Sequence, residues 1–426
     1  MRRLFNSRLI YTALLWLLFP YVFFHLLWRA RKQPKYLQHI SERFGFYAIS
    51  SNKPVIWLHT VSVGETRAAA NLVTRLREDY PDHQLLLTHT TPTGREASEQ
   101  LYGNDVLRVY LPYDYPFSVR RFLTHFRPRV GVLLETEIWF NLIHTSHARN
   151  IPLLLLNARL SEKSAARYAR HSNLVESGLR ELSAIAAQST ADAERLTALG
   201  GKEVSVMGNL KFDIEPALGM LERGQQLRDQ FGADRKIFLA ASTREGEEVL
   251  LLDALKSSQI HGLLTIIVPR HPQRFAEVEI LLERRGIRFQ RRSENRTIAA
   301  ETKVVLGDSM GEMFAYYAAC DIAFIGGSLL PYGGQNLIEA CAVGKPVLIG
   351  PHTYNFAQAS EFAVVSGAAM RVQDAAELLR ILQNLLAHPD RMAEIGHAGQ
   401  IFVIANRGAT TRALSCVKQY LDGHFR

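Results

Sequence analysis

The segment Gly326–Gly344, GGSLLPYGGQNLIEACAVG, decides what kind of fold this chain adopts. It follows an apolar run, Ile322–Ile325, with the length and composition of a buried parallel strand. Gly326 and Gly327 end that strand where a Cβ would block a tight bend or the approach of a ligand to the backbone. A second pair, Gly333–Gly334, opens Gln335–Ala342, in which Leu337, Ile338 and Cys341 recur at helical spacing. Strand, glycines and helix start leave free N–H groups and a positive dipole end at a strand's carboxyl edge, where α/β sheets take phosphate. Glu339, one turn into the helix, is placed to accept from vicinal hydroxyls such as those of a ribose. An ordinary βα turn with a solvated glutamate fits the same residues.

On both sides of this segment the chain alternates strand and helix patterns. Strands are expected at Val55–Thr60, Leu85–Thr90, Leu107–Leu111, Val130–Leu134, Leu153–Asn157, Ile185–Gln188 and Val204–Gly208. After the polar stretch Ile214–Arg235 they resume at Ile237–Ala241, Leu264–Val268, Val304–Leu306, Ile322–Ile325, Pro346–Ile349 and Ala368–Val372. That rhythm predicts an α/β protein of two doubly wound parallel sheets, two Rossmann-like domains facing a cleft. The expected division is an anchor with its basic flank (1–35), a first domain (36–213), a linker (214–235), a second domain (236–408) and a terminal helix (409–426).

The chain has 426 residues, 47% hydrophobic and 21% charged, which are ordinary globular values. Its three cysteines, none in a CxxC pair, argue against a disulfide framework or thiolate zinc site and fit a reducing compartment. The net charge of +9 lies entirely in Met1–Asp213, with 27 Lys and Arg against 18 Asp and Glu; the remainder balances at 23 each. Before Pro54 stand nine basic residues against Glu42 alone, a pattern that could suit a nucleic acid. Between them, however, lies Leu9–Trp28, 20 residues without a formal charge and with aromatics near both ends. That is long enough to span a hydrocarbon core of about 30 Å. Residues 9–28 therefore read as a membrane anchor, spanning or lying in the interface, with Arg29, Arg31, Lys32 and Lys35 facing anionic head groups on the cytoplasmic side. No nucleic-acid partner is expected.

Chemistry is expected at carboxyl ends of strands. In VIWLHTVSVGE (Val55–Glu65) a buried strand ends, and Glu65 opens a helix whose dipole favours its ionised, proton-accepting form; a helix-capping glutamate fits as well. In VLLETEIWFN (Val132–Asn141), Glu135 and Glu137 lie two apart, so an extended backbone would point both to one side, unless Thr136 caps a helix there. Lys211, in VMGNLKFD, is able to reach developing negative charge or stay solvated. Arg270 in VPRHPQR suits a phosphate or carboxylate, and Met310–Glu312 offers close backbone approach to a flat ring.

Taken in order, VSVGE, TPTG (Thr91–Gly94), LPYD (Leu111–Asp114), ETEIW, NARLS (Asn157–Ser161), KFD, VPRHP, GDSMGE, FIGGS, GGQNxxE and GPHTYNF (Gly350–Phe356) resemble the Kdo transferases of lipopolysaccharide synthesis. The resemblance covers essentially the whole chain. It implies a GT-B glycosyltransferase of the bacterial inner membrane that moves 3-deoxy-D-manno-octulosonate (Kdo) from CMP-Kdo to a lipid A precursor with inversion. It further implies that Glu65 is the general base, that Glu135 and Lys211 assist the transition state, and that Pro269, Arg270, Met310, Gly311, Glu312, Asn336, Leu337, Ile338 and Glu339 contact CMP. Phe140, Gln335 and Leu337 depart from the proline, histidine and proline common there. With no Asp-x-Asp pair in the chain, neither a metal nor a cofactor is expected. The alternatives are a GT-B transferase or epimerase acting on a UDP-sugar, and a non-catalytic nucleotide-binding module.

Overall fold

The computed structural model describes residues 2–216, 219–256 and 260–423; residues 1, 217–218, 257–259 and 424–426, which belong to the anchor, linker, second-domain and terminal segments read above, lie outside it. The chain divides into two compact units, Met1–Asp213 with Arg407–Arg426, and Ile214–Asn406.

The first unit is built on β1 (Val55–His59), β2 (Gln84–His89), β3 (Leu107–Tyr110), β4 (Pro128–Leu134), β5 (Leu153–Ala158), β6 (Ala184–Ala187) and β7 (Val204–Val206). These pair in parallel in the order β3-β2-β1-β4-β5-β6-β7. Successive side chains point to opposite faces, so Ile56 and Leu58 enter one apolar core while Val55 and Trp57 enter the other. Burial on both faces explains why β1 reads as an uninterrupted apolar run. The strand order reverses between β1 and β4, and in open sheets of this kind ligands sit beyond the carboxyl ends of the strands at that point.

Two helices complete this unit from outside its strand-helix rhythm. Ala409–Asp422, read as a separate terminal helix, buries Ala409, Ala413, Leu414 and Val417 in the Ile56 core. The Asp213 carboxylate fixes its start by accepting from Gly408 N (2.6 Å) and from Thr410 N. At the other terminus, Arg2–Lys32 forms one helix. Its segment Ser7–Arg31 is long and apolar enough to cross a membrane. One side of it is packed on the unit. Tyr11 donates to Asp114 (2.9 Å), Thr12 to Asn141 (3.0 Å), and Trp16 and Phe19 meet Tyr115, Phe117 and Phe44. Leu26 and Ala30 are buried, whereas Leu17, Tyr21 and Phe24 on other sides are exposed.

The second unit carries β8 (Lys236–Thr243), β9 (Leu263–Pro269), β10 (Phe289–Arg291), β11 (Val304–Leu306), β12 (Ile322–Ile325), β13 (Val347–Ile349) and β14 (Ala369–Arg371) in the order β10-β11-β9-β8-β12-β13-β14. Here the reversal falls between β8 and β12, so the glycine-rich segment after β12 lies at the switch point. The thirteen expected strands recur within two residues at each end. The extra one, β10, is a three-residue edge strand with a polar middle and no apolar run to betray it.

Two expectations need correction. The stretch read as a linker carries a helix, Met220–Phe231, that belongs to the second unit. Its apolar stripe is reduced to Leu227 and Phe231, and Gly224 lets it approach so closely that a Cβ there would stand 2.4 Å from that of Ala318. The helix after Gly334 spans only Ile338–Ala342 and does not begin at Gln335. The Asn336 side chain accepts from Ile338 N (3.1 Å), a local bond that competes with helix extension. Gly334 N and Gln335 N donate back to Gly327 O and Gly326 O (2.7 and 3.1 Å), so these amides close the loop instead of facing a ligand. Gly326 itself is required by packing, since a Cβ there would lie 2.6 Å from Thr243 Cα.

Candidate active site

The loop after β1 is braced from below. Thr60 Oγ1 meets Thr66 Oγ1 and His89 Nδ1 at 3.0 Å each, and Thr91, the cap of the Pro92–Tyr102 helix, donates to Val61 O (3.0 Å). Burial pushes His89 down to about 3, so this brace is neutral. On it stands the helix Val63–Ala68 with Ser62 as its N-cap. Glu65 accepts from Val61 N (2.8 Å) and Ser62 Oγ (2.9 Å), a variant of the capping box in which the backbone donor is the residue before the N-cap. An ionised carboxylate offers about four lone-pair sites, and these bonds occupy two. Burial pushes the Glu65 carboxyl up and the Glu135 charge adds to it, while Val61, Ser62 and His59 pull partly back. Desolvation therefore outweighs the hydrogen bonds that favour the ionised form.

Glu135 follows β4 at the other side of the switch. Its backbone is left-handed (φ 62°), so Glu135 and Glu137 do not share an extended strand. They diverge to different partners. Glu135 Oε1 lies 3.5 Å from Lys211 Nζ, whereas Glu137 Oε2 accepts from Trp139 Nε1 (2.7 Å) and lies 3.8 Å from His59 Nε2. Thr136 caps nothing: it donates to Arg159 O, and the next helix starts at Phe140. Phe140 sets its ring edge-on to Tyr11 of the N-terminal helix, 5.1 Å away, a contact that proline could not make.

Lys211 is delivered by side-chain braces from three strands' ends. Asn157, left-handed at the end of β5, accepts from Leu210 N (3.1 Å). Gln188 after β6 accepts from Asn209 Nδ2, and Asn209 in turn accepts from Lys211 N (both 3.0 Å). The first unit thus brings Glu65, Glu135 and Lys211 to one sheet end, and adds Glu137 and His59. Sequence reading missed His59 because it ends an apolar strand, where a buried histidine is unremarkable; the signal was its place four residues ahead of the VGE turn.

The second unit arranges the remaining candidates by itself. Arg270, just past buried Pro269, donates from Nε to Gln335 (3.0 Å), tying the loop after β9 to the one after β12. Glutamine thus gives Arg270 an acceptor. Asn336 Nδ2 donates to Glu339 Oε1 (3.0 Å). Leu337 and Ile338 are fully buried, and Ile338 N donates to the Asn336 side chain. Met310 is exposed, and Gly311 has φ 82°. Glu312 is engaged by Arg292 (2.9 Å) and Arg223 (3.4 Å); burial pushes its carboxyl up, yet Ser309 and these arginines hold it below its ordinary value. Glu247, not singled out in the sequence, clamps the glycine loop from below, accepting from Gly327 N (2.6 Å), Arg244 N (2.9 Å) and Leu329 N (3.0 Å). Among the described residues no group of three or more His, Cys, Asp or Glu is disposed to hold a metal ion.

A family profile described as 3-Deoxy-D-manno-octulosonic-acid transferase (kdotransferase) matches residues 38–214. Over 97% of its length the chain is 38% identical to the 3-deoxy-D-manno-octulosonic acid transferase of Haemophilus influenzae, covering 99% of that protein. It is also 38% identical over 97% of its length to the Bordetella pertussis protein of the same name, covering 100% of it. Among solved structures it is similar to a glycosyltransferase from Rickettsia africae, with a TM-score of 0.57 at 16% identity over 88% of this chain and 100% of the other, which is a likeness of fold.

Proposed function

The chain belongs to the 3-deoxy-D-manno-octulosonic acid (Kdo) transferases, and on that premise we propose that it moves Kdo from CMP-Kdo to a hydroxyl of a lipid A precursor at the membrane, with Glu65 as general base. Glycosyl transfer of Kdo follows from family membership. The finer reading is carried by one observation: Glu65, Glu135 and Lys211 converge at the switch point of the first sheet. A Glu65 lone pair takes the acceptor's proton as its oxygen attacks the anomeric carbon from the face opposite CMP. The C–O bond to the phosphate breaks, CMP leaves with the electron pair, and the configuration inverts. Lys211, held beside Glu135, supplies positive charge near the reacting centre. In the second unit, Arg270 and Glu339 are the groups suited to phosphate and ribose, with backbone at Met310–Glu312 available to the base. The reaction as written needs no metal or cofactor.

The N-terminal helix fits a membrane surface better than a perpendicular span. Contacts from Tyr11 to Ala30 bind it to the first unit along its length, which leaves an apolar side for lipid. Arg29 and Arg31 at its far end suit anionic head groups, on the cytoplasmic face of the inner membrane, whereas Lys35, beyond the helix, pairs with Glu96.

Mass spectrometry of product from purified enzyme and a tetraacyl disaccharide bisphosphate tests the donor. Kdo addition with CMP-Kdo and none with UDP-N-acetylglucosamine is expected; the reverse would overturn the assignment. The base assignment has a pH signature. Only ionised Glu65 takes a proton, so kcat/KM falls as pH drops through its raised pKa, above the ordinary glutamate value of about 4.3. Glu135→Gln removes a like charge and should move that acid limb to lower pH. A limb that stays fixed or rises would uncouple the two carboxylates.

A further inference from the structure

We propose that Arg244 binds the carboxylate of the donor sugar and so selects an acidic sugar over a neutral one. Arg244 follows β8 and Arg270 follows β9, paired parallel strands whose ends are in register, with Thr243 opposite Pro269. Arg270 N donates to Thr243 O (3.0 Å), so the two arginines leave adjacent strand ends beside the switch point of the second sheet. Glu247 Oε2 accepts from both Arg244 N (2.9 Å) and Gly327 N (2.6 Å), which pins this turn to the glycine loop after β12. The Arg244 side chain runs over the bare face of Gly327, where a Cβ would lie 3.3 Å from Arg244 Cγ and 3.2 Å from Gln335 Nε2. Its guanidinium stands over the Tyr332 ring, 4.7 Å from the centroid, and Arg244 is only half-buried, within reach of a ligand.

Three guanidinium groups gather here. Burial lowers the His271 pKa, and the charges of Arg244, Arg270 and Arg274 lower it further. Arg274 is answered by Glu248 (2.6 Å) and Glu277 (3.2 Å). Among the described residues no carboxylate comes within ion-pair distance of the Arg244 side chain, whose partner is a neutral aromatic face. Such a face steadies a guanidinium and leaves its N–H edge open, and that planar edge matches a carboxylate with two parallel hydrogen bonds. CMP-Kdo brings two anions, a phosphodiester and a carboxylate, both attached to the anomeric carbon, which suits two arginines from adjacent strand ends. Arg270 is on the nucleotide side: burial holds the Tyr317 hydroxyl well above its ordinary value, and the charges of Glu339 and Arg270 both bear on it. The Gln335 amide separates the two cations, its oxygen on Arg270 Nε (3.0 Å) and its nitrogen toward Gly327 and Arg244. The phosphate therefore falls to Arg270 and the carboxylate to Arg244.

This role rests on the reading that CMP-Kdo is the donor. The test uses the full-length enzyme in detergent and two ligands: CMP-Kdo, and the methyl ester of CMP, which keeps the phosphodiester and has no carboxylate. Arg244→Gln should raise the KM for CMP-Kdo about 10- to 100-fold, the value of hydrogen bonds to a charged group, with kcat and melting temperature nearly unchanged. The inhibition constant of the methyl ester should stay within about twofold of wild type, since nothing it carries meets Arg244. Arg270→Gln, by contrast, should weaken both ligands. Arg244→Lys keeps the charge without the fork and should recover part of the loss. A methyl ester weakened in step with CMP-Kdo would assign Arg244 to the phosphate and overturn the proposal. So would an unchanged CMP-Kdo KM, or a loss that comes with an early melt. Wild type that makes no Kdo product from CMP-Kdo would overturn the donor reading and Arg244 with it, whereas product formation with an unmoved KM in Arg244→Gln overturns Arg244 alone.

Discussion

Glu65→Gln should lower turnover by about 10²–10⁴-fold, the usual contribution of a general base, and leave CMP-Kdo affinity within about twofold. Glutamine preserves the side chain's length and one oxygen acceptor but cannot take a proton. Because Glu65 also accepts from Val61 N and Ser62 Oγ, the substitution sets an NH2 group against one of those donors. That should weaken the cap by about 0.5–2 kcal/mol, enough to lower the melting temperature slightly and far too little to explain the loss of rate. Ser62→Ala supplies the control. It removes the cap and leaves the carboxylate, so it should melt earlier while retaining activity within about tenfold. Steady-state kinetics, calorimetric CMP-Kdo binding and thermal melting check these outcomes. Near wild-type turnover in the glutamine variant would remove Glu65 from the mechanism and turn attention to Glu135. A Ser62→Ala enzyme as inactive as Glu65→Gln would assign the loss to the cap.

Deleting residues 1–32 should release the chain from membranes and at the same time destabilise what remains. A detachable tether could be removed without loss; this helix cannot. Its removal takes the Tyr11 hydroxyl from the buried Asp114 carboxylate and uncovers Tyr115, Phe117 and Phe44. A buried acceptor stripped of a partner costs about 1–3 kcal/mol, and each aromatic pair lost about 0.5–1.5 kcal/mol. Fractionation should find most of the truncated chain off the membrane, and calorimetry should find the first unit melting several degrees earlier than in the full chain. Equal melting temperatures would show that the packing of Trp16 and Tyr11 contributes nothing and restore the simple tether.

The strand positions and the plan of two parallel sheets were legible because buried parallel strands write themselves as apolar runs, and Val55–Leu58 and Ile322–Ile325 could hardly be anything else. Glu65 and Glu135 stand out because each follows such a run, whereas Lys211, after the exposed strand Val204–Val206, stands out only by its motif. What stayed hidden depends on tertiary partners. Met220–Phe231 carries too few apolar residues to announce a helix, and its burial comes from small residues on a neighbour. The late start at Ile338 reflects a side-chain bond from Asn336 that no periodicity encodes. Glu65's raised pKa comes from burial and from Glu135, seventy positions away. His59 was concealed by its own strand.

The return of the chain at Arg407 sets an order of assembly on the ribosome. Translation delivers seven strands of the first unit, then all of Ile214–Asn406, and only afterwards the helix Ala409–Asp422 whose Ala413, Leu414 and Val417 seal the Ile56 core. At about 5–20 residues per second, the 193 intervening residues take roughly 10–40 s to emerge, during which that side of the first sheet stays open. Asp213 waits at the exit with an acceptor for amides not yet made. The unit begun first is therefore completed last, after the inserted one has had time to fold, and a nascent chain stalled before Arg407 would expose apolar surface that chaperones recognise.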